Sequence, residues 1–251
     1  MIAVLDIGNA RLKWALVSGG SLLNPGSAPH LGDSRHAVQS FIDAFPEGVG
    51  RVVATNVAGP TVAESVETAV ASNWNAKVEW VITSGTQLGV TCAYAEPLRM
   101  GADRWVAILA AHSMAPGSVC VIDAGTAVTF DAVDAGGLHL GGLIMAGPPL
   151  AAASLSQRTS EIGVTVSTPG RASGLEILGR STNDAVANGV MLALSSGLCK
   201  AVEIVTEGLG TIPTVVLCGG DAASLLPWLD SRVQYREHLV LEGLALIATE
   251  L

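Results

Sequence analysis

Apolar positions along this chain fall into short unbroken runs separated by polar or glycine-rich turns. Ile2-Ala-Val-Leu and Val119-Cys-Val-Ile are each too short for a helix and lack the alternation of a half-exposed strand. Such runs fit strands covered on both faces. Each ends in Asp-x-Gly and a small polar residue: Asp6-Ile7-Gly8-Asn9 and, half a chain later, Asp123-Ala124-Gly125-Thr126. Behind each comes a second strand-like segment, Leu12–Val17 and Ala127–Val133, which runs into a turn signal, Ser18-Gly-Gly-Ser21 and Asp134-Ala-Gly-Gly137. A hairpin unit repeated at half the chain length predicts two similar α/β domains, residues 1–115 and 116–251, with the break near Ala115–Ser118.

Between the two hairpins the pattern alternates. His36–Phe45 reads as a helix stopped by Pro46, Arg51–Asn56 as a strand, Gly59–Asn73 as a helix and Val78–Thr83 as a strand. Arg104–Met114 is a helix that ends at Pro116-Gly117. Further on, Pro149–Thr159 and Thr182–Thr206 read as helices, the latter capped by Ser181 or Thr182. Thr214–Cys218 is an apolar strand running into Gly219-Gly220-Asp221, and Leu239–Leu251 closes the chain as an apolar helix. Strand–helix alternation of this kind predicts an α/β protein with mixed sheets.

Composition narrows the function. Of 251 residues, 49% are apolar and 14% charged, which excludes a disordered chain. The net charge of -9, with no basic run, argues against nucleic acid as a partner. A nucleotide remains open to an acidic protein if backbone N–H groups and metal ions carry the phosphates. Cys92, Cys120, Cys199 and Cys218 lie far apart, so no zinc-type spacing is present. Trp105–Ile122 and Ala135–Gln157 are nearly uncharged, but Pro and Gly interrupt both, and neither makes a continuous apolar span. No basic n-region precedes Asp6. The expectation is a soluble, cytoplasmic protein without membrane contact.

Three segments carry candidate chemistry. In the first, an Asp closing a buried strand, with Gly next but one, lets the backbone turn tightly against a ligand. Its N–H groups and Asn9 can face phosphate oxygens, Lys13 adds charge, and the carboxylate can hold hydrated Mg²⁺. An ordinary β-turn with a capping Asp would give the same pattern, so the second copy matters. Two such loops on one polyphosphate suit phosphoryl transfer. Gly219-Gly220-Asp221 follows a buried strand, where a flat ligand could approach the backbone; a plain strand-to-helix connection reads the same. GxGxxG and GxxxxGK[ST] are both absent. The third segment, Tyr94 to Trp105, gathers one of two tyrosines with Glu96, Arg99, Asp103 and Arg104. Asp103 is a helix cap or, beside a phosphate site, a proton acceptor. His139 falls within a hairpin, where exposure is expected, and His112 lies on an apolar helix as a core or interface residue.

Taken in order, these motifs resemble type III pantothenate kinases, within the acetate kinase, sugar kinase, chaperone and actin superfamily. The resemblance rests on DxGN with a following Lys (Asp6 to Lys13), GxDRW (Gly101, Asp103, Arg104, Trp105) and DxGTAxTxD (Asp123, Gly125, Thr126, Ala127, Thr129, Asp131). It also rests on GGxI (Gly141 to Ile144), Ser181-Thr182 with Ala185 and Gly189, and the closing Gly219-Gly220-Asp221. It implies two duplicated ribonuclease-H-like domains of the actin-like ATPase type, with an ATP cleft between them. The activity it implies is ATP-dependent phosphorylation of pantothenate to 4′-phosphopantothenate, the first step of coenzyme A synthesis. Asp6, Ile7, Gly8, Asn9, Ala10, Arg11, Leu12, Lys13 and Thr126 would then contact ATP, with Asp103 as the base. Tyr94, Gly101, Ala102, Asp103, Arg104 and Thr182 would line the pantothenate pocket. Asp123 would bind a monovalent cation, K⁺ or NH₄⁺, required alongside Mg²⁺. The resemblance further implies a homodimer.

Two departures from the family pattern stand out. Ala10 occupies a position that is usually Thr or Ser, which removes one phosphate-facing hydroxyl. Ala146-Gly147 precedes Pro148-Pro149, where the family has Pro then Gly. The competing reading is an accessory factor for virulence-gene expression on the same fold, without kinase activity.

Overall fold

The computed structural model describes residues 1–31, 33–158 and 174–250. The helix expected to reach Thr159 and the one expected to reach Leu251 each have that last residue outside the described set.

The chain divides into two compact units, one of residues 1–114 with 238–251 and one of residues 115–237. In the first, β1 (Ile2–Ile7), β2 (Arg11–Ser18) and β3 (Ser21–Pro29) form an antiparallel meander. Helix α1 (Ser34–Asp43) follows, then β4 (Arg51–Asn56), α2 (Pro60–Trp74) and β5 (Val78–Trp80). The sheet order is β3-β2-β1-β4-β5, with β4 parallel to β1 and β5 parallel to β4. The strand expected to run to Thr83 stops at Trp80. Val81 makes the last ladder bond, to the Ala54 carbonyl at 2.8 Å, and the Thr83 hydroxyl turns to the Met100 carbonyl. A two-stranded ribbon, β6 (Thr86–Gln87) and β7 (Val90–Thr91), precedes α3 (Ala102–Met114). Trp105 of α3 donates its indole N–H to Gln87 Oε1 at 2.9 Å and so anchors that ribbon.

The second unit repeats the plan. Strands β8 (Val119–Ala124), β9 (Ala127–Val133) and β10 (His139–Ala146) form the meander. Helices α4 (Pro148–Arg158) and α5 (Thr182–Leu209) come next, then β11 (Thr214–Cys218), α6 (Ala222–Leu225) and β12 (Gln234–Tyr235). Its order, β10-β9-β8-β11-β12, matches the first sheet strand for strand.

Local chemistry explains the element ends. Asp33 accepts from the Arg35 N–H to cap α1, and Pro60 opens α2, where its missing N–H costs nothing. Asn75 and Gly210 take the left-handed conformation that closes α2 and α5. Ser181 caps α5 by accepting from the Asp184 N–H. By length and composition α5 could cross a membrane, although 28% of its apolar window is already buried within the chain.

Each unit has its own core. In the first, Leu5, Ile7, Leu12 and Val52 pack under α1 and α2. There the Phe41 ring meets Trp74 edge-on at 5.2 Å and Trp14 at 6.0 Å. In the second, Ile122, Phe130 and Leu217 pack under α5 through Met191, Leu194 and Leu198. His139 is not exposed as its hairpin position suggested. It is 1% accessible, and its Nε2 lies 3.1 Å from Asp131 Oδ1, so a polar partner makes burial tolerable.

The final helix, α7 (Leu239–Glu250), departs from the expected boundary at 116–251: it belongs with the first unit. It packs on α3 and β1, buried almost all round. A side chain at Gly243 would collide with the Val106 carbonyl oxygen, so only glycine permits this crossing. Arg51 locks the far end. It donates to the Ala248 carbonyl at 2.8 Å and makes a two-pronged pair with Glu79, both contacts at 2.8 Å.

This packing sets two expectations for stability. Gly243→Ala should lower unfolding free energy by about 1–3 kcal/mol through overpacking, whereas Gly208→Ala, in open space on α5, should be neutral or stabilising. Urea denaturation of the two variants checks this contrast. Arg51 also holds the Glu79 carboxyl below its ordinary value of 4.5. That contribution is complete above 4.5 and is lost as pH falls through the lowered native value. Glu79→Gln should therefore flatten the acid limb of the stability profile, and only slightly, since Glu79 is half exposed.

Candidate active site

In the first unit the candidate residues gather at the C-terminal end of β1. Asp6 is 4% accessible. Burying a carboxylate requires partners, and the register supplies them: Lys13 stands opposite on β2 and Thr55 opposite on β4. The Thr55 hydroxyl donates to Asp6 Oδ1 at 3.0 Å, and Lys13 Nζ lies 4.0 Å from Oδ2. The loop between the strands is closed by the Gly8 N–H donating to the Arg11 carbonyl at 3.1 Å. Asn9 is exposed and Ala10 partly so, whereas Ile7 and Leu12 are wholly buried in the core. Any ligand contact by those two is therefore through their backbone. Arg11 reaches away to donate to the Ser27 hydroxyl at 2.7 Å.

The Tyr94–Trp105 segment forms a second cluster in the same unit. Asp103 lies in the first turn of α3, and its Oδ1 accepts from the adjacent Arg104 N–H at 2.8 Å. Arg104 is buried. Its Nη1 donates to the Tyr94 hydroxyl at 3.2 Å, and its guanidinium carbon sits 6.0 Å from the Tyr94 ring centroid. Tyr94 thus orients a cation next in sequence to the Asp103 carboxylate. Gly101 and Ala102 border a cavity of about 390 Å³ that is also lined by Asn56, Trp80, Thr83 and Met100.

In the second unit, Asp123 holds the position that Asp6 holds in the first. Its register partners are Thr129 and Cys218. The Gly125 N–H closes this loop on the Ala127 carbonyl at 3.2 Å, one residue tighter than the first loop. Gly219 has φ near 98°, and a side chain there would collide with Asp123 Oδ1 and the Ala124 carbonyl oxygen. Gly219 therefore packs its backbone directly against the Asp123 carboxylate and the Ala124 carbonyl, a close approach that only glycine allows. Asp221 donates its N–H to that same Ala124 carbonyl at 2.8 Å, and burial pushes its carboxyl pKa up.

Thr126 is exposed, and its carbonyl accepts from the Gly147 N–H at 3.0 Å. This accommodates the displaced prolines, because Pro148 and Pro149 open α4, where no N–H is needed. Thr182 is exposed at the start of α5 and borders a groove of about 850 Å³ with Met145, Leu155, Val190 and Leu194.

Sequence reasoning did not find Thr55, or His30, whose ring lies 2.6 Å from the Gly8 carbonyl. Each is a lone polar residue at a strand end, with no motif to mark it. Among the described residues, no group of three His, Cys, Asp or Glu side chains could hold a metal ion.

Comparison with known proteins gives a consistent outcome. The sequence profile of the type III pantothenate kinase family matches residues 2–203. The type III pantothenate kinase of Nitrosococcus oceani is 32% identical, with 100% of this chain and 94% of the relative covered. That of Chromobacterium violaceum is 34% identical, with 99% of each covered. Among solved structures, a protein of Campylobacter jejuni described as a Baf family transcriptional activator aligns with TM-score 0.59 at 19% identity, covering 99% of this chain and 98% of its own. The activator of the 2-hydroxyisocaproyl-CoA dehydratase from Clostridium difficile, solved with bound ADPNP, aligns with TM-score 0.53 at 13% identity, covering 99% and 94%. At such identities these two show the shared actin-like ATPase and sugar kinase fold.

The Gly219 contact is directly testable. Gly219→Ala should cost about 1–3 kcal/mol, from a non-glycine residue at positive φ, and should shift the Asp123 region. Gly220→Ala, with open space around it, should cost far less. Thermal melts and amide NMR shifts of the two variants separate these outcomes.

Proposed function

This chain belongs to the type III pantothenate kinase family, and from that membership we propose how its residues divide the reaction. The protein transfers phosphate from ATP to pantothenate, giving 4′-phosphopantothenate and ADP, the first step of coenzyme A synthesis. What carries the assignment of roles is the duplicated Asp-x-Gly hairpin, one copy with a lysine in register, together with a carboxylate set beside an oriented arginine.

Asp6 through Lys13 hold the ATP phosphates, largely through backbone N–H groups of Asn9 and Ala10 and the Lys13 charge, while the Gly8 N–H stays on the Arg11 carbonyl and holds the loop closed. Thr126 adds a hydroxyl contact. Asp103 takes the proton of the pantothenate hydroxyl as that oxygen bonds to the γ-phosphorus and the bond to the ADP oxygen breaks. Arg104, oriented by Tyr94, presents a cation to this acidic substrate, while Gly101, Ala102 and Thr182 complete its pocket. The chain's hard oxygen donors fit the ions of the reaction. Mg²⁺ needs only one or two carboxylates beside substrate phosphates, and Asp6 is placed to serve. Asp123, the carboxylate at the matching position of the second unit, would take K⁺ or NH₄⁺, as the family resemblance implies. Held there, these cations would supply the charge neutralisation that a protein of net charge -9 with 13 basic residues lacks.

We read the protein as a cytoplasmic homodimer. The supporting observation is a run of exposed apolar side chains in the second unit: Leu140, Leu143 and Ile144 on β10 and Leu192 on α5. Exposed apolar side chains on an edge strand fit contact with a second copy of the chain. A regulator without kinase activity is not favoured, since the likeness to the Campylobacter protein shows fold alone.

Asp103→Asn should leave folding and ATP binding intact and lower kcat by about 10²–10⁴, the scale of lost general-base catalysis. ADP release should require pantothenate, and K⁺ or NH₄⁺ in preference to Na⁺. A coupled ADP assay measures both. A loss under about tenfold in the variant removes Asp103 from the role of base. Indifference to the monovalent ion removes Asp123 from its own role.

A further inference from the structure

We propose that His30 is a positioning residue that presets the phosphate loop of the first unit. The inference rests on reading Asp6–Lys13 as the ATP loop. His30 follows the last residue of β3, is 7% accessible, and holds that loop at two points. Its ring Nε2 lies 2.6 Å from the Gly8 carbonyl oxygen, and its backbone N–H donates to the Ala10 carbonyl at 3.0 Å. A carbonyl oxygen only accepts, so Nε2 carries the hydrogen and the ring is the donor.

The consequence follows from the planar peptide. In a trans peptide the C=O of one residue and the N–H of the next point in opposite directions. Tying the Gly8 carbonyl to the His30 ring therefore aims the Asn9 N–H away from that ring. Tying the Ala10 carbonyl to the His30 backbone fixes the other side of the loop. Two carbonyl dipoles that would repel phosphate are thereby turned aside. No described group accepts from the N–H of Asn9. That donor stays available for an anionic oxygen, in a geometry fixed before the ligand arrives. Position 10 is Ala and brings no side-chain donor, so the loop's backbone donors matter more, and His30 is the group that directs them.

The test compares three substitutions. His30→Phe keeps a buried ring without a donor, His30→Gln returns an N–H at similar reach, and His30→Asn is too short to reach Gly8 and serves if the Phe variant does not fold. Expected is a rise of about five- to tenfold in KM for ATP for the donorless variant, the value of one net hydrogen bond. The KM for pantothenate should stay unchanged, and the Gln variant should regain most of the ATP affinity. Calorimetric binding of a non-hydrolysable ATP analogue should move in parallel. Lys13→Ala is run alongside. If it weakens ATP binding while the His30 variants do not, the His30 proposal is overturned and the loop assignment stands. If Phe and Gln weaken binding equally, the hydrogen bond is not the cause, and the proposal is likewise overturned. If neither Lys13→Ala nor Asp6→Asn affects ATP binding, the loop assignment itself fails and His30 loses its role with it.

Discussion

The arrangement turns on a carboxylate that the fold buries at the end of its central strand. β1 is covered on both faces, so Asp6 leaves water as the sheet forms, and an uncompensated charge there would cost several kcal/mol. Its neighbours in register, Lys13 and Thr55, offset that cost from either side. A slip of one residue in either pairing would turn these partners to the opposite face and strand the charge. The carboxylate therefore helps to fix the register of three strands. Those strands in turn fix where the Gly8–Ala10 loop emerges.

Continuous apolar strands were legible because central strands show no polar face. Arg51–Asn56, Ala127–Val133 and Thr214–Cys218 have the bounds the pattern suggested. β3 was not legible, because Ser21–Pro29 contains two prolines and a glycine, which normally argue against a strand. It survives as an edge strand whose ladder breaks between Trp14 and Leu16. The apolar run Leu239–Leu251 announced a buried helix but not its partner, since hydrophobicity is non-directional. Glycine against the Val106 carbonyl and Arg51 on Ala248 decide that partner, and both are long-range contacts. In the site, residues with a spaced motif could be read, whereas His30 and Thr55 are set by tertiary register alone.

The two units share a strand order yet differ at the positions that matter chemically. Beside Asp6 the register places a lysine and a threonine; beside Asp123 it places a threonine and a cysteine. Further back on β8, burial pushes the Cys120 thiol up to about 12, so that strand brings no thiolate towards the loop. The same hairpin thus offers two different electrostatic settings. In the first copy the lysine balances the carboxylate, and the Asn9 N–H, which no described group accepts, suits the loop to an anionic oxygen. The second copy has no basic residue at the matching positions, and its Gly219 backbone packs directly against the carboxylate. Such a setting favours a cation over an anion. Both register partners differ between the two copies, so one strand order surrounds its two carboxylates with different side chains. In a chain with a net charge of -9, that difference leaves Lys13 as the basic side chain set against a strand-end carboxylate in the first copy, with no counterpart in the second.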